Sequence, residues 1–193
     1  MRDDDLTNLS RFLEELQSES DRGLALVGPA VIDDKLRETL AAFFVQGVEA
    51  SRLLEGGTAP LSTFSSRTDA CLALGLVDAF EHGEITLLRK VRNEFAHGLY
   101  GTTFRSEPIR GYCSGLRSHL PEGAGHPTDE PRFRFINAVV SLATRLYYRP
   151  EWVGRERRAA KEWVNAEQVR WRSFNDEKPP EGSPVLGAFK AKP

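Results

Sequence analysis

Hydrophobic residues recur every three or four positions through most of the first 150 residues, with polar residues between them. This spacing is typical of amphipathic helices that pack against a common core. It predicts a short helix near 109–120 and main helices near 4–18, 20–48, 62–75, 81–98 and 132–149. No segment alternates with period two for long enough to predict a strand. The chain is therefore predicted to be all-α, with a single helical bundle.

Each main helix contributes apolar residues to the predicted core. The residues expected inside it are Leu13, Val31, Phe43, Leu72, Leu88, Phe95, Val139 and Leu146. The second helix is expected to begin at Ser20 or Asp21, because either side chain can accept a hydrogen bond from a free amide of the first turn. Gly75 and Gly98 follow the last periodic residues of two helices, where glycine can adopt the left-handed conformation that ends a helix. Both glycines are therefore predicted helix stops.

Two stretches lack a strong helical period. The segment from Gly98 to Arg132 is rich in glycine and proline, and it is predicted to be a long ordered loop held by tertiary contacts. Pro150 is expected to end the last core helix. Residues 1–150 are therefore predicted to form the core domain, and residues 151–193 a C-terminal arm with a flexible, mobile tail.

The arm holds all three tryptophans, Trp152, Trp163 and Trp171, with arginines between them. This Trp/Arg-rich pattern has two interpretations. The tryptophans can lie against the core with the arginines in solvent, or they can stack on the bases of a single-stranded nucleic acid whose phosphates pair with the arginines. We prefer the first interpretation.

Composition narrows the class of protein. The chain has 193 residues, of which 40% are hydrophobic and 28% charged, and its net charge is −2, so the whole-chain charge does not favour nucleic acid. It has no apolar run long enough to span a membrane and no signal-peptide pattern, so a cytoplasmic location is expected. Cys71 and Cys113 are far apart and lack metal-ligand spacing, so we expect reduced, buried thiols. No metal or cofactor is predicted.

The candidate chemistry lies in residues 84–98. Apolar residues form one stripe of this predicted helix, namely Leu87, Leu88, Val91 and Phe95. Polar residues share the opposite face, namely Arg89, Lys90, Asn93 and His97. His97 falls in the last turn, where the helix dipole favours a cation. Arg92 lies about 140° around the helix from His97. The two side chains can therefore meet only if the long arginine side chain reaches around the helix, or if a partner brings such groups together.

Arginine and histidine together can cleave RNA without a metal. The histidine moves a proton and the guanidinium stabilises the charge that builds on the phosphorus centre, while an asparagine can orient either group. Arg92, Asn93 and His97 are therefore candidate catalytic residues. The structural alternative is that His97 caps the helix and Arg92 pairs with an acid such as Asp33 or Asp34.

Several short strings resemble, in order, the mannitol operon repressor (MltR) family. They are ESDRGLALVG at 19–28, LLEGGTAPL at 53–61, FSSR at 64–67, ALGL at 73–76 and RKVRNEFAH at 89–97. The resemblance implies an all-helical fold and a regulatory role in transcription without a DNA-reading helix-turn-helix. More broadly, the chain is similar to HEPN domains, which are helical, often dimerise and, in active members, use an Arg-polar-x3-His ribonuclease motif that Arg92, Asn93 and His97 match.

Two functions follow from these resemblances. The preferred one is a non-enzymatic regulator that acts through a protein partner or a bound ligand, as a homodimer. Its candidate binding residues are Asp21, Arg22, Arg89, Arg92 and His97. The alternative is a HEPN-type, metal-independent endoribonuclease that acts on RNA. We prefer the regulator because the longer resemblance is to the regulatory family, and a likeness of fold does not transfer an activity.

Overall fold

The computed structural model describes residues 3–119, 125–161, 172–173 and 188–189. Within them, the helices are α1 (Asp3–Ser18), α2 (Asp21–Phe43), α3 (Val48–Leu54), α4 (Phe64–Ala73), α5 (Ala79–His97), α6 (Ile109–Ser114), α7 (Pro131–Leu146) and α8 (Arg149–Arg155). Two strands of two residues each, β1 (Arg172–Ser173) and β2 (Ala188–Phe189), pair in parallel. The predicted all-α fold is therefore confirmed, with these four residues as the exception. Met1–Arg158 form one compact unit, and Ala159–Pro193 form another.

Helix α2 is the centre of the first unit. It packs against α4, α5, α7 and α8, and it also contacts α1 and α3. As predicted, Ser20 caps it, because the Ser20 hydroxyl accepts a hydrogen bond from the amide of Gly23 at 3.0 Å. The helix ends at Phe43 rather than near residue 48, since Phe44 is extended. The chain then forms α3, a short helix that the periodicity did not predict.

The core contains half of the residues predicted for it. Leu88, Phe95, Val139 and Leu146 are fully buried. Leu13, Val31 and Phe43 are half-buried. The prediction for Leu72 is wrong, because this side chain is 37% exposed. The buried residues of α4 are Phe64, Arg67, Thr68 and Cys71, a stripe at helical spacing that leaves Leu72 on its flank.

Gly75 ends α4 in the way the sequence predicted. Its backbone has φ +71°, a conformation that costs glycine nothing because it has no Cβ. The amide of Gly75 donates to the carbonyl of Leu72 at 3.0 Å, and the amide of Leu76 donates to the carbonyl of Cys71 at 2.8 Å. These bonds satisfy carbonyl groups that the helix itself leaves without donors.

Tertiary contacts hold the segment after α5 in place, as predicted for a long ordered loop. The Phe104 ring lies 5.0 Å from the rings of both Phe95 and Phe135, so one aromatic stack joins the segment to α5 and α7. Further along, the buried carboxylate of Glu84 accepts hydrogen bonds from the amides of Arg117 (2.7 Å) and Ser118 (2.9 Å) and from the Ser118 hydroxyl (2.5 Å).

Helix α8 extends the packing of the first unit beyond residue 150. Pro150 lies in its first turn, where a proline removes no helical hydrogen bond. Val153 is buried, and α8 contacts α2. Residues 151–158, assigned to the arm from the sequence, include Arg157, whose guanidinium donates to the Ala42 carbonyl of α2 at 2.9 Å.

Most of the residues on which the two interpretations of the arm depend lie outside the described part of the chain. Trp152 lies within α8 and is 54% exposed, with its ring 6.5 Å from that of Tyr148. Trp163, Trp171 and the predicted mobile tail lie outside the described residues, except for the short strands at 172–173 and 188–189.

Candidate functional site

Helix α5, which carries most of the predicted site residues, is firmly fixed at its start. Asp78 and Glu81 form a capping box, in which each side chain accepts a hydrogen bond from the other residue's backbone amide. The Glu81 carboxylate is buried and pairs with the Arg149 guanidinium at 2.8 Å. The predicted amphipathic helix is confirmed. Its buried apolar stripe is Ile85, Leu88, Val91 and Phe95, whereas the predicted Leu87 is only half-buried.

The end of α5 differs from the prediction. His97 is the last helical residue, but Gly98 has φ −67° and ψ 129°, so the predicted left-handed cap at Gly98 is wrong. The Arg22 guanidinium instead donates to the carbonyl oxygens of Gly98 (2.6 Å) and Leu99 (3.2 Å). A side chain at position 98 would be crowded, because a Cβ there would lie 2.9 Å from the backbone carbonyl oxygen of Glu94 and 2.3 Å from the Thr102 hydroxyl oxygen.

The three candidate catalytic residues reach the surface of α5. Arg92 and His97 are exposed, and Asn93 is half-buried. The Arg92 guanidinium donates to the Asn93 side-chain oxygen at 3.4 Å, which is long for a hydrogen bond. The structure does not join Arg92 and His97 within one chain, and His97 makes no hydrogen bond or ion pair with any described residue.

In the structural alternative, the pairing of Arg92 with Asp33 or Asp34 is wrong, whereas His97 does lie in the last turn of α5 but makes no hydrogen bond with a described residue. Asp33 pairs with Arg67 at 2.8 Å, and Asp34 lies 3.7 Å from Arg37, so neither acid pairs with Arg92. The Gly98 and Leu99 carbonyls at the end of α5 are bound by Arg22 rather than by His97. Contacts with the described residues therefore do not explain why Arg92 and His97 are where they are.

Three cations of α5 lack an acidic partner. Within the described chain, Arg89, Lys90 and Arg92 form no ion pair. The Lys90 ammonium lies 5.4 Å from the centre of the Tyr112 ring, which gives it a cation–π contact. The Nε atom of Arg89 is buried without a hydrogen-bond acceptor. These three cations are therefore not held in ion pairs with described residues, although Glu94 follows Lys90 by one turn.

Two large apolar residues next to this face were missed by the sequence analysis. Leu99 is 83% exposed and Tyr100 is 96% exposed, directly after the end of α5. Both residues follow Gly98, beyond the end of the helical spacing. This position is the sign in the sequence that could have indicated their exposure. We call Arg92, His97, Leu99 and Tyr100 the α5 tip.

Asp21 and Arg22, two predicted binding residues, serve in contacts within the chain. The Asp21 carboxylate accepts hydrogen bonds from the Phe104 amide and from the Arg132 guanidinium, each at 3.2 Å. Asp21 also lines a cavity of about 290 Å³ together with Arg105, Glu130 and Arg132. The charges of this cavity are paired, since Arg105 lies 3.2 Å from Glu130 and Arg132 lies 3.2 Å from Asp21. Arg22 holds the end of α5, as described above.

Both cysteines are free and buried, as expected from the sequence. Burial raises the pKa of the Cys71 thiol to about 12, and it has the same effect on Cys113; nearby Arg149 and Arg134 oppose these shifts more weakly. Among the described residues, no His, Cys, Asp and Glu side chains are grouped as the ligands of a metal ion would be. No helix in the described part is both long and apolar enough to cross a membrane.

Comparison with known proteins gives one informative likeness. No family model and no curated protein matches the chain. A chain in the X-ray structure of the MtlR–HPr complex from Escherichia coli has a similar fold, with a TM-score of 0.57 and 18% sequence identity. The likeness covers 72% of the present chain and 97% of the other. MtlR is the mannitol operon regulator, and the helical fold of this protein resembles the MtlR fold.

Proposed function

We propose that this protein is an MtlR-like transcriptional regulator that acts by binding a protein partner. The similarity of fold supports this function, because it extends over nearly the whole of the matching chain, and that chain comes from a complex with HPr. A small protein of the HPr type is therefore the first partner to test. In this proposal the protein needs no DNA-reading helix-turn-helix, since it regulates through the protein that it binds.

The exposed pair Leu99 and Tyr100 is the observation that carries this proposal. An exposed aromatic residue is typical of protein interfaces, where tyrosine often contributes much of the binding energy. Both side chains are largely in solvent, although Arg22 fixes the backbone carbonyl of Leu99. The backbone at Leu99 is therefore held by α2, while both side chains are left available to a partner.

Calorimetric titration with purified HPr tests the proposal. We expect saturable binding by the wild type and a loss of about thirtyfold or more in affinity for Tyr100→Ala, because truncating an interface aromatic of this kind costs roughly 2 kcal/mol or more. Val48→Ala is the matched control for Leu99→Ala, since Val48 is also exposed, at 58%, but lies on α3. No binding by the wild type would reject HPr as the partner, and equal losses of affinity in Leu99→Ala and Val48→Ala would reject the α5 tip.

A homodimer is part of the same proposal. Arg92 and His97 project about 140° apart on one helix, so a groove that contains both is more easily built where two copies of α5 meet around a two-fold axis. Light scattering coupled to gel filtration should give twice the mass of the chain. A monomer at concentrations well above those used for binding would reject this arrangement.

The ribonuclease alternative has one observation in its favour. Arg92, Asn93 and His97 lie in the last two turns of α5, and Arg92 and His97 are exposed without an acidic partner, so RNA could reach them. Its measurable consequence is RNA cleavage in the presence of a chelator that His97→Ala abolishes. We prefer the regulator because His97 has no described partner that would orient its ring for proton transfer.

A further inference from the structure

A second cavity of about 290 Å³ lies where the first turns of α5 meet the chain that follows α6. Its apolar walls come from Ala79, Phe80 and Leu87. It lies toward the other end of α5 from the α5 tip, about 20 Å away along the helix. A concave site of this size, with mostly apolar walls and few polar groups, suits a single small molecule.

The buried polar group of this cavity is the carboxylate of Glu84. Glu84 is 3% exposed, and none of the ion pairs among the described residues includes it. Its Oε2 atom accepts from the amide and the hydroxyl of Ser118, whereas Oε1 accepts only from the amide of Arg117. A carboxylate oxygen has two lone pairs, so Oε1 can accept one more hydrogen bond. A buried carboxylate is most favourable beside a cation, and an ammonium group in the cavity would supply one.

Gly83, which also lines the cavity, is independent evidence that something comes close to α5 here. It is the fifth residue of the helix, where glycine is less favourable than alanine because its backbone loses more freedom on folding. A Cβ added to Gly83 would meet no atom within 4 Å, so packing within the described chain does not require glycine. Glycine is typical of positions where a ligand approaches the backbone closely.

Arg117 adds a positive charge to the same cavity. Its backbone amide donates to Glu84 Oε1 at 2.7 Å, so the two residues lie on the same side of the cavity. Its side chain is exposed and makes no hydrogen bond or ion pair with any described residue. This guanidinium would repel a simple amine, whereas it would pair with a ligand that also carries a carboxylate.

We propose that this cavity binds the zwitterion of an α-amino acid with an apolar side chain. The ammonium group donates to Glu84 Oε1, the carboxylate pairs with the Arg117 guanidinium, and the side chain lies against Phe80 and Leu87. The two charges of an α-amino acid are separated by one carbon atom, which suits two protein charges joined by a hydrogen bond to the same backbone. This inference goes beyond the binding of a protein partner, since it assigns a separate small-molecule site.

Titration with L-leucine, followed by the backbone amide signals in a ¹H–¹⁵N NMR spectrum, tests the proposal. The signals of Gly83, Gly115 and Ser118 should shift in a saturable way. Leucinamide lacks the carboxylate, 4-methylpentanoate lacks the ammonium group, and L-alanine lacks most of the apolar side chain. Each should bind about tenfold or more weakly than L-leucine, because each leaves one part of the site without its partner.

Gly83→Leu tests the cavity without removing any of its polar groups. Leucine is a good helix former and its Cβ has room at this position, so the melting temperature should not fall. The new side chain should occupy the cavity and weaken L-leucine binding by about tenfold or more. Gly154→Leu is the matched control, because a Cβ at this glycine of α8 also meets no atom within 4 Å and Gly154 does not line the cavity. Gly83→Ala is the second variant if Gly83→Leu does not fold.

Arg117→Gln tests the recognition of the ligand's carboxylate. It should weaken the binding of L-leucine but leave that of leucinamide unchanged, because only the free carboxylate pairs with the guanidinium. Arg110→Gln is the control, since Arg110 is an exposed arginine of α6 that pairs with Glu107. It should bind L-leucine as the wild type does.

Three outcomes would overturn the inference. They are the absence of saturable shifts with L-leucine at millimolar concentration, equal affinity for L-leucine, leucinamide and 4-methylpentanoate, and full affinity in a folded Gly83→Leu. Any of these would leave Glu84 with its role in holding the Arg117 and Ser118 amides alone. The titration contains no HPr, so the failure of this inference and that of the proposed function are separate results.

Discussion

The Arg22 guanidinium donates to the carbonyl oxygen of Gly98 at 2.6 Å and thereby joins the first turn of α2 to the end of α5. Carbonyl groups at a helix end lack donors within the helix, and a cation there also interacts favourably with the helix dipole. The same guanidinium donates to Leu99 at 3.2 Å. One side chain thus ends α5 and fixes the backbone that presents the exposed Leu99 and Tyr100.

Arg22→Ala should therefore affect both stability and binding. We expect the free energy of unfolding to fall by about 1 kcal/mol, because the lost hydrogen bonds are charge-assisted but partly screened by solvent. Urea unfolding measures this change, and titration with HPr should show weaker binding. Arg110→Ala breaks only an exposed ion pair with Glu107 and should cost under about 0.5 kcal/mol. Equal effects of the two substitutions would contradict this role of Arg22.

Phe95→Ala should strongly destabilise the bundle. Phe95 is fully buried, and its ring packs 5.0 Å from that of Phe104, so we expect a loss of about 3 to 5 kcal/mol in the free energy of unfolding. Denaturant unfolding measures it. Leu72→Ala is the control on the flank of α4 and should cost less than about 1 kcal/mol, because Leu72 is 37% exposed. A loss below about 1 kcal/mol for Phe95→Ala would mean that neighbouring side chains repack into the space left by the ring.

The sequence predicted those features that depend on local periodicity. The apolar stripe of α5, the cap at Ser20 and the stop at Gly75 each depend on residues within one or two turns of the helix. The end of α5 was mispredicted because its conformation at Gly98 depends on Arg22, which is 76 positions away in the sequence. No local pattern contains that information.

Less of the candidate site could be predicted than of the fold. Periodicity placed Arg92 and His97 at the surface, near the end of a helix. Asp33, the acid considered as a partner of Arg92, is paired instead with Arg67 of α4, and this depends on the packing of that helix. The unpaired Nε of Arg89 likewise becomes visible only when the packing around α5 is known. Whether a side chain has a partner depends on the neighbouring helices, and sequence spacing does not report this.

Glu84→Gln should loosen the segment after α6. The Glu84 carboxylate accepts three hydrogen bonds, whereas the glutamine amide group would turn donors toward some of the same amides. We expect a loss of about 2 to 4 kcal/mol in the free energy of unfolding and faster hydrogen exchange at Arg117 and Ser118. Ser118→Ala removes one of these bonds only and should have a smaller effect. If hydrogen exchange at the Arg117 amide is unchanged in Glu84→Gln, the Glu84 carboxylate does not hold this segment in place.

The two thiols should be inert in the folded protein. Burial raises the pKa of Cys71 and of Cys113 from 9.0 to about 12, and the thiolate is the reactive form, so a thiol reagent at about pH 8 should modify neither residue before unfolding. After denaturation, both should react. Rapid modification of the native protein would contradict their burial.

The same pKa shifts predict a loss of stability in alkali. Because the folded pKa lies above the unfolded value, the stability due to the neutral thiols is fully present below pH 9.0 and is lost as the pH rises toward about 12. The melting temperature measured across this range should therefore fall. A Cys71→Ala/Cys113→Ala variant should show a shallower fall, even if its melting temperature is lower throughout, and an identical slope would reject the assignment to the thiols.

His97→Ala separates the regulator from the ribonuclease. Since His97 is exposed and has no described partner, the substitution should change the free energy of unfolding by less than about 0.5 kcal/mol, so any functional loss is not a folding defect. For the proposed regulator, wild type and variant should both leave single-stranded RNA intact in chelator, while the variant binds its partner more weakly. Cleavage by the wild type with a 2′,3′-cyclic phosphate product, absent in His97→Ala, would establish the ribonuclease instead, because only a histidine that moves a proton explains that pair of results. Asn8→Ala, on α1, is a suitable control for contaminating nuclease, since Asn8 is exposed and its loss should leave any genuine activity unchanged.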